Sequence, residues 1–213
     1  MRLADIVTYA VLGFMGVRLV SGLRSSRTAS GKLLVVDVVR GIRWRHVWPV
    51  PFVLPIVVLA ATGLMSLPGL SWGWWSAVGG DGNPVFGSSD TTAGTAWEWI
   101  IPMAFMCLLL PALPLFAYAE ERLFRMGAER WSWQRRAFKV VQFGLVHAII
   151  GIPIGAALAL SLGGAYFMAV YLAAWRRTSS WREATLESTR AHTVYNGLIV
   201  VLVLVVVTWD AFS

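Results

Sequence analysis

Seven residues in three short patterns could do chemistry together. In AYAEERLFRMG, running from Ala117 to Gly127, two adjacent carboxylates close a long apolar block, and Arg125 follows one helical turn after Glu121. Glu121 and Arg125 form an i,i+4 pair on one helix face. Glu120 points about 100° away around the same helix. In FGLVH, Phe143 precedes His147 by one turn, inside an otherwise apolar run. His147 lies roughly 12 Å along a helix from Lys139, at about 1.5 Å per residue. An imidazole left in lipid without a partner costs several kcal/mol, so His147 must face protein or water. In HTVYN, His192 and Asn196 share a helix face just after Arg190. Carboxylates and imidazoles can activate water, and an amide or guanidinium can hold an oxyanion. Each pattern has an ordinary counterpart: a surface ion pair, a histidine bonded to a carbonyl, and a polar contact between helices.

The elements that must position these groups follow from composition. The chain has 213 residues, 57% of them hydrophobic and only 14% charged. Its mean hydropathy is +0.66. A soluble domain averages about 45–50% apolar and about 25% charged residues. The excess comes in long blocks, which predicts an all-α, polytopic transmembrane bundle. No polar stretch is long enough to fold separately, so residues 1–213 read as a single integral membrane domain, with residues 1–95 as two N-terminal helices and an outer loop and residues 96–213 as the core. The lone Cys107 excludes an internal disulfide and a multi-cysteine metal cluster, and is read as packing. The net charge of +7 is gathered in short segments between apolar blocks. That pattern suits membrane topology and anionic lipid, and gives nucleic acid no continuous basic face.

Six crossings are expected. Apolar segments run from Ile6 to Val20, Val47 to Leu67, Ala96 to Ala119 and Thr193 to Trp209. The stretch from Val140 to Trp175 is too long for one crossing of about 20 residues and short for two. It is read as a hairpin of two tilted or shortened helices, broken at Gly151-Ile-Pro153 or Gly163-Gly164. Gly151 and Gly155 match a small-residue packing motif, taken as a close helix contact within the protein. The first segment reads as an uncleaved helix rather than a signal peptide. Arg24, Arg27, Lys32, Arg40, Arg43 and Arg45 face a single acid, Asp37, between Ser21 and His46. Basic residues also gather between Glu120 and Lys139 and between Arg176 and Ala191. The segment from Pro68 to Thr95 has no Lys or Arg, only Asp81 and Asp90. The positive-inside rule places the basic segments in the cytoplasm and both termini outside. Leu70-Ser-Trp-Gly-Trp-Trp75, in the outer loop, reads as an interfacial anchor.

With this topology the three patterns converge in the inner half of the bilayer. Their order, E-E-x-x-x-R, then F-x-x-x-H, then H-x-x-x-N, each associated with a membrane helix, resembles the CPBP family. That family comprises CAAX-type prenyl-protein endopeptidases and bacteriocin-processing or immunity membrane proteins. The resemblance covers about Trp97 to Val207. It implies that Glu120 is the general base and that His147 helps hold and polarise water. It implies that Glu121 and Arg125 orient Glu120 and bind substrate or fix helix geometry. His192 and Asn196 would stabilise the oxyanion, and Phe143 would pack near His147 and contact substrate. Carboxylate and imidazole are also zinc ligands, so zinc is the alternative to metal-free glutamate chemistry, although no H-E-x-x-H run is present.

The implied partners are membrane lipid and a peptide or protein substrate, and the compact size suggests a bacterial cytoplasmic membrane. A non-proteolytic immunity, regulatory or assembly factor is the alternative, and a small proton-coupled transporter ranks below both. Two features depart from the family. Arg176 to Arg190 is unusually polar, with the composition of an amphipathic interfacial helix whose Trp181 and Leu186 face lipid. The first two helices carry no family signature.

Overall fold

The computed structural model describes residues 3–74 and 94–212, and every regular element among them is helical. These are α1 (Leu3–Arg27), α2 (Ala29–Arg40), α3 (Trp44–Val47), α4 (Val50–Met65), α5 (Trp97–Phe124), α6 (Trp133–Leu145), α7 (Ile154–Thr178) and α8 (Trp181–Phe212). Short 3₁₀ turns lie at Ala128–Arg130 and Val146–Ile150. Trp75, Asp81 and Asp90, part of the expected outer loop, lie outside the described residues.

Four helical stretches are long and apolar enough to cross a membrane: Trp44–Met65, in which α3 and α4 run together, Trp97–Arg130, Ile154–Thr178 and Trp181–Trp209. Their outward faces carry large apolar side chains, among them Phe52, Ile56 and Leu59 on α4 and Val201, Val205 and Val206 on α8. Continuous apolar surface of this kind is unfavourable in water and suited to lipid. The chain is therefore an all-α protein with the helices of an integral membrane protein. Pro102, Pro111 and Pro114 sit inside α5. Neighbouring helices can re-satisfy the backbone groups that such prolines free.

Helix α7 is the centre of the bundle, packing against α4, α6 and α8, while α5 packs along α8. Its buried face is built from small residues, including Gly155, Ala157, Ala159, Ser161, Gly163 and Gly164. Small residues allow backbones to approach closely where lipid gives no hydrophobic drive between helices. Gly144 of α6 is one such point. A methyl group there would collide with the Ala157 carbonyl oxygen and the Ser161 hydroxyl of α7. The carbonyl cannot rotate away, so Gly144→Ala must push the helices apart. It should lower the free energy of unfolding in mild detergent by about 1–3 kcal/mol, the usual cost of overpacking. A midpoint equal to wild type would show that α6 and α7 are not in this register.

Several expectations are corrected by this arrangement. The long apolar stretch breaks at Gly151, which has φ 96°, and Pro153, but Gly163-Gly164 lies within continuous α7. Gly151 therefore ends the 3₁₀ turn and does not pack in a helix. Gly155 makes a close approach, against Leu64, Met65 and Leu70. No separate helix occupies Arg176 to Arg190. Helix α7 continues to Thr178, Ser179 turns the chain with φ 50°, and α8 starts at Trp181 and runs straight on. Leu186 is buried and does not face lipid, whereas Trp181 is exposed. Cys107 is exposed on α5 and so does not pack in the core.

Candidate functional site

The end of α5 and the third and fourth turns of α8 meet through one buried carboxylate. Glu121 is wholly buried, and its Oε1 accepts from Arg125 Nη1 at 2.7 Å. The same oxygen lies 2.8 Å from His192 Nδ1. Its Oε2 accepts from the Ser188 hydroxyl, which also lies 2.9 Å from the Phe167 carbonyl oxygen. Burying such a charge is tolerable only with partners of this quality. Arg125 is just as deeply buried. Its guanidinium sits 4.2 Å over the Phe143 ring and 5.3 Å from that of Phe167, and Nη2 reaches the Gly164 carbonyl at 3.4 Å. A side chain at Gly164 would strike Phe143, so the glycine admits both ring and guanidinium.

The tautomer of His192 follows from its partners. Nδ1 faces a carboxylate oxygen and must carry the proton. Nε2 is then the acceptor, and Asn196 Nδ2 donates to it at 3.0 Å. The ring stacks on Phe167 at 4.2 Å, which fixes its plane. Glu120 stands on the other side of Nε2, its Oε2 at 3.6 Å. That oxygen is sealed from solvent and accepts no hydrogen bond, although the Glu120 side chain as a whole is 35% exposed. Oε2 of Glu120 thus faces Nε2 of His192 from beyond hydrogen-bond distance.

His147 is placed differently. Its Nδ1 donates to the Phe143 carbonyl at 2.8 Å, which leaves Nε2 with its lone pair. No hydrogen bond or ion pair among the described residues joins it to Glu120, Glu121 or His192. Phe143 links them instead, lying edge-on to His147 at 5.2 Å and to His192 at 5.6 Å. Phe143 is itself buried between Phe124, Phe167 and the Arg125 guanidinium. It therefore has no free face for substrate, against the expected contact. It positions the two imidazoles and Arg125. Among the described residues, no group of three or more His, Cys, Asp or Glu is arranged to hold a metal ion.

Ser188 was not legible as part of the site, though a signal existed. Ser188, His192 and Asn196 stand at i, i+4 and i+8, one polar stripe along α8. A second cluster also went unread. Glu187 accepts from Arg45 through both oxygens, at 2.9 Å each, and from Arg190 at 2.6 Å. His46, buried, accepts the Arg43 backbone N–H at Nδ1, so Nε2 carries the proton and donates to Glu187 at 3.2 Å. Arg190 packs flat on Gly41, where any side chain would overlap its guanidinium. These bonds clasp the α2–α3 corner to α8, directly beside the Glu121 cluster.

The fold and site together define an all-helical membrane protein with a buried Glu–Arg–His cluster at one end of its bundle. Comparison with protein-family models, with curated proteins and with solved structures finds no match.

Proposed function

We propose that this chain is an intramembrane endopeptidase of the CPBP type, cleaving a peptide bond with water activated by Glu120. The observation that carries the reading is the geometry at Glu120. It is the one acid of the pair that keeps access to the surroundings, and its buried oxygen faces the acceptor nitrogen of a histidine locked in one tautomer. In the reaction, Glu120 takes a proton from water as the water oxygen adds to the scissile carbonyl carbon. The oxyanion accepts from the Asn196 amide. The stored proton then passes to the leaving nitrogen as the C–N bond breaks. Glu121 and Arg125 hold His192 as the buried aspartate of a hydrolase triad holds its histidine. His192 donates from Nε2 only once it has taken up a second proton, so Asn196 is the resting oxyanion donor. His147 takes no part in this step, since it meets the cluster only through the Phe143 ring.

Six crossings, with both termini outside, fit this reading. Helix α6 and the following 3₁₀ turn are the first arm of the expected hairpin, with the basic Arg135, Arg136 and Lys139 in the first two turns of α6. At their far end, Trp74 Nε1 donates to the Ile149 carbonyl, and the N–H groups of Ile154 and Gly155 donate to Trp72 and Leu70. The chain just after Gly151 thus bonds to Leu70 and Trp72, at the start of the loop that this reading puts outside.

One observation favours the non-proteolytic alternative. Glu121, Arg125 and Ser188 are paired with one another and buried, as a purely structural clamp would be. The two readings part in one experiment. The purified protein is reconstituted in liposomes with membrane-anchored peptides in ¹⁸O-labelled water. A peptidase yields shorter peptides whose new carboxylate carries solvent oxygen. Intact peptides throughout the set would leave the clamp as the function.

A further inference from the structure

A cleft of about 580 Å³ opens beside the end of α5 and the start of α8, on the α5 face turned away from Glu120. It is lined by Tyr118, Arg122 and Met126 of α5, by Gly127, Glu129 and Arg130 of the turn that follows, and by Trp181. The charges in it are unevenly committed. Glu129 is drawn inward, its Oε2 accepting from the buried Tyr171 hydroxyl at 2.9 Å. Arg130 is 85% exposed and touches Glu129 only at 3.8 Å. Arg122 is also exposed and lies over the Tyr118 ring at 5.8 Å, with no ion pair among the described residues. Two guanidiniums thus open onto a space walled by Tyr118, Met126 and the exposed Trp181.

The turn that carries this site is rigid. Gly127 has φ 90°, and its N–H donates to Tyr171. Arg136 donates to the Ala128 and Glu129 carbonyls at 2.9 and 3.3 Å. The cleft is therefore preformed rather than a gap between loose loops. It sits where a membrane-crossing helix leaves the lipid, among basic residues, with a tryptophan at its rim. Tryptophan at that level anchors at the headgroup boundary, and basic residues there attract anionic lipid. Arginine pairs with phosphate oxygens bidentately.

We propose that this cleft binds the headgroup of an anionic phospholipid. The phosphodiester lies between Arg122 and Arg130, and the first acyl carbons lie against Tyr118, Met126 and Trp181. A free phosphate shares the charge chemistry but has nothing to fill the aromatic part of the cleft.

The test uses the purified full chain in a neutral detergent, titrated separately with phosphatidylglycerol, phosphatidylcholine and inorganic phosphate, with binding read by native mass spectrometry and by the shift in thermal midpoint. Phosphatidylglycerol should bind and raise the midpoint, and the other two should not. Arg122→Gln/Arg130→Gln should weaken phosphatidylglycerol binding about thirtyfold, from the usual contribution of two basic residues near an anionic surface. Arg24→Gln/Arg27→Gln removes the same charge elsewhere and should change it less than about twofold. Equal losses in the two double variants would reduce the effect to general charge and overturn the site. Equal binding of phosphatidylcholine would overturn it too, and equal stabilisation by inorganic phosphate would replace the lipid with a simple anion.

Discussion

Replacing Arg125 by leucine is expected to destabilise the protein by about 3–5 kcal/mol, the usual cost of removing one partner from a buried ion pair. The reason is Glu121, which no solvent reaches and which would be left with only Ser188 and His192 as partners, whether it kept its charge or took up a proton. The aromatic cage adds to the loss, because Phe143 and Phe167 would face an empty position where the guanidinium lay. Reversible unfolding in mixed micelles measures the effect. The double variant Glu121→Leu/Arg125→Leu should recover most of the stability, since an apolar pair of similar volume is often as stable as the buried ions it replaces. Recovered stability should not restore cleavage, because His192 would lose the carboxylate that fixes its tautomer. A single variant within about 1 kcal/mol of wild type would mean that Glu121 is not charged or not sealed.

The second large effect is kinetic. Glu120→Gln keeps the shape of the side chain but removes the basic oxygen. Cleavage by the reconstituted protein should fall by about 10²–10⁴-fold in kcat/KM, the range for loss of a positioned general base. Stability should move by less than about 0.5 kcal/mol, since the side chain is partly exposed and its Oε2 gives up no hydrogen bond. Asn196→Ala should also slow cleavage by about 10²–10³-fold, as loss of an oxyanion donor does. The two single variants thus separate Glu120 from Arg125. One loses the reaction and keeps the fold, while the other loses the fold itself. Wild-type rates in Glu120→Gln would remove the general base from the mechanism, and a matching drop in stability would return Glu120 to the structural clamp.

The site was legible to different depths. Glu121 with Arg125, and His192 with Asn196, were readable because helix spacing alone puts each pair on one face. Their meeting rested on topology, and α5 and α8 do bring Glu121 and His192 within hydrogen-bond distance. His147 was placed in the same region by the same argument. Its nearest polar partner is its own turn of backbone, and it reaches the cluster only through Phe143. Phe143 was expected beside His147 and lies there, but a phenylalanine before a histidine reads the same whether it lines a groove or fills a core. Leu186 was assigned to lipid for a similar reason, since a polar segment carries no mark of whether it ends one helix or begins the next. The αL turn at Ser179 decides that, and it is a matter of one φ angle.

By itself the sequence determined what is local: long apolar runs that must be helices, a break at Gly151 and Pro153, and polar residues spaced by whole turns. Burial, pairing and proton position were left to the tertiary structure. Which oxygen of Glu121 holds which donor, why Glu187 gathers Arg45, His46 and Arg190, and where the proton of His192 sits all depend on contacts between residues far apart in the chain. A helix dictates its own faces through its 3.6-residue repeat, but which face meets which is decided by how small residues on α7 let its neighbours approach.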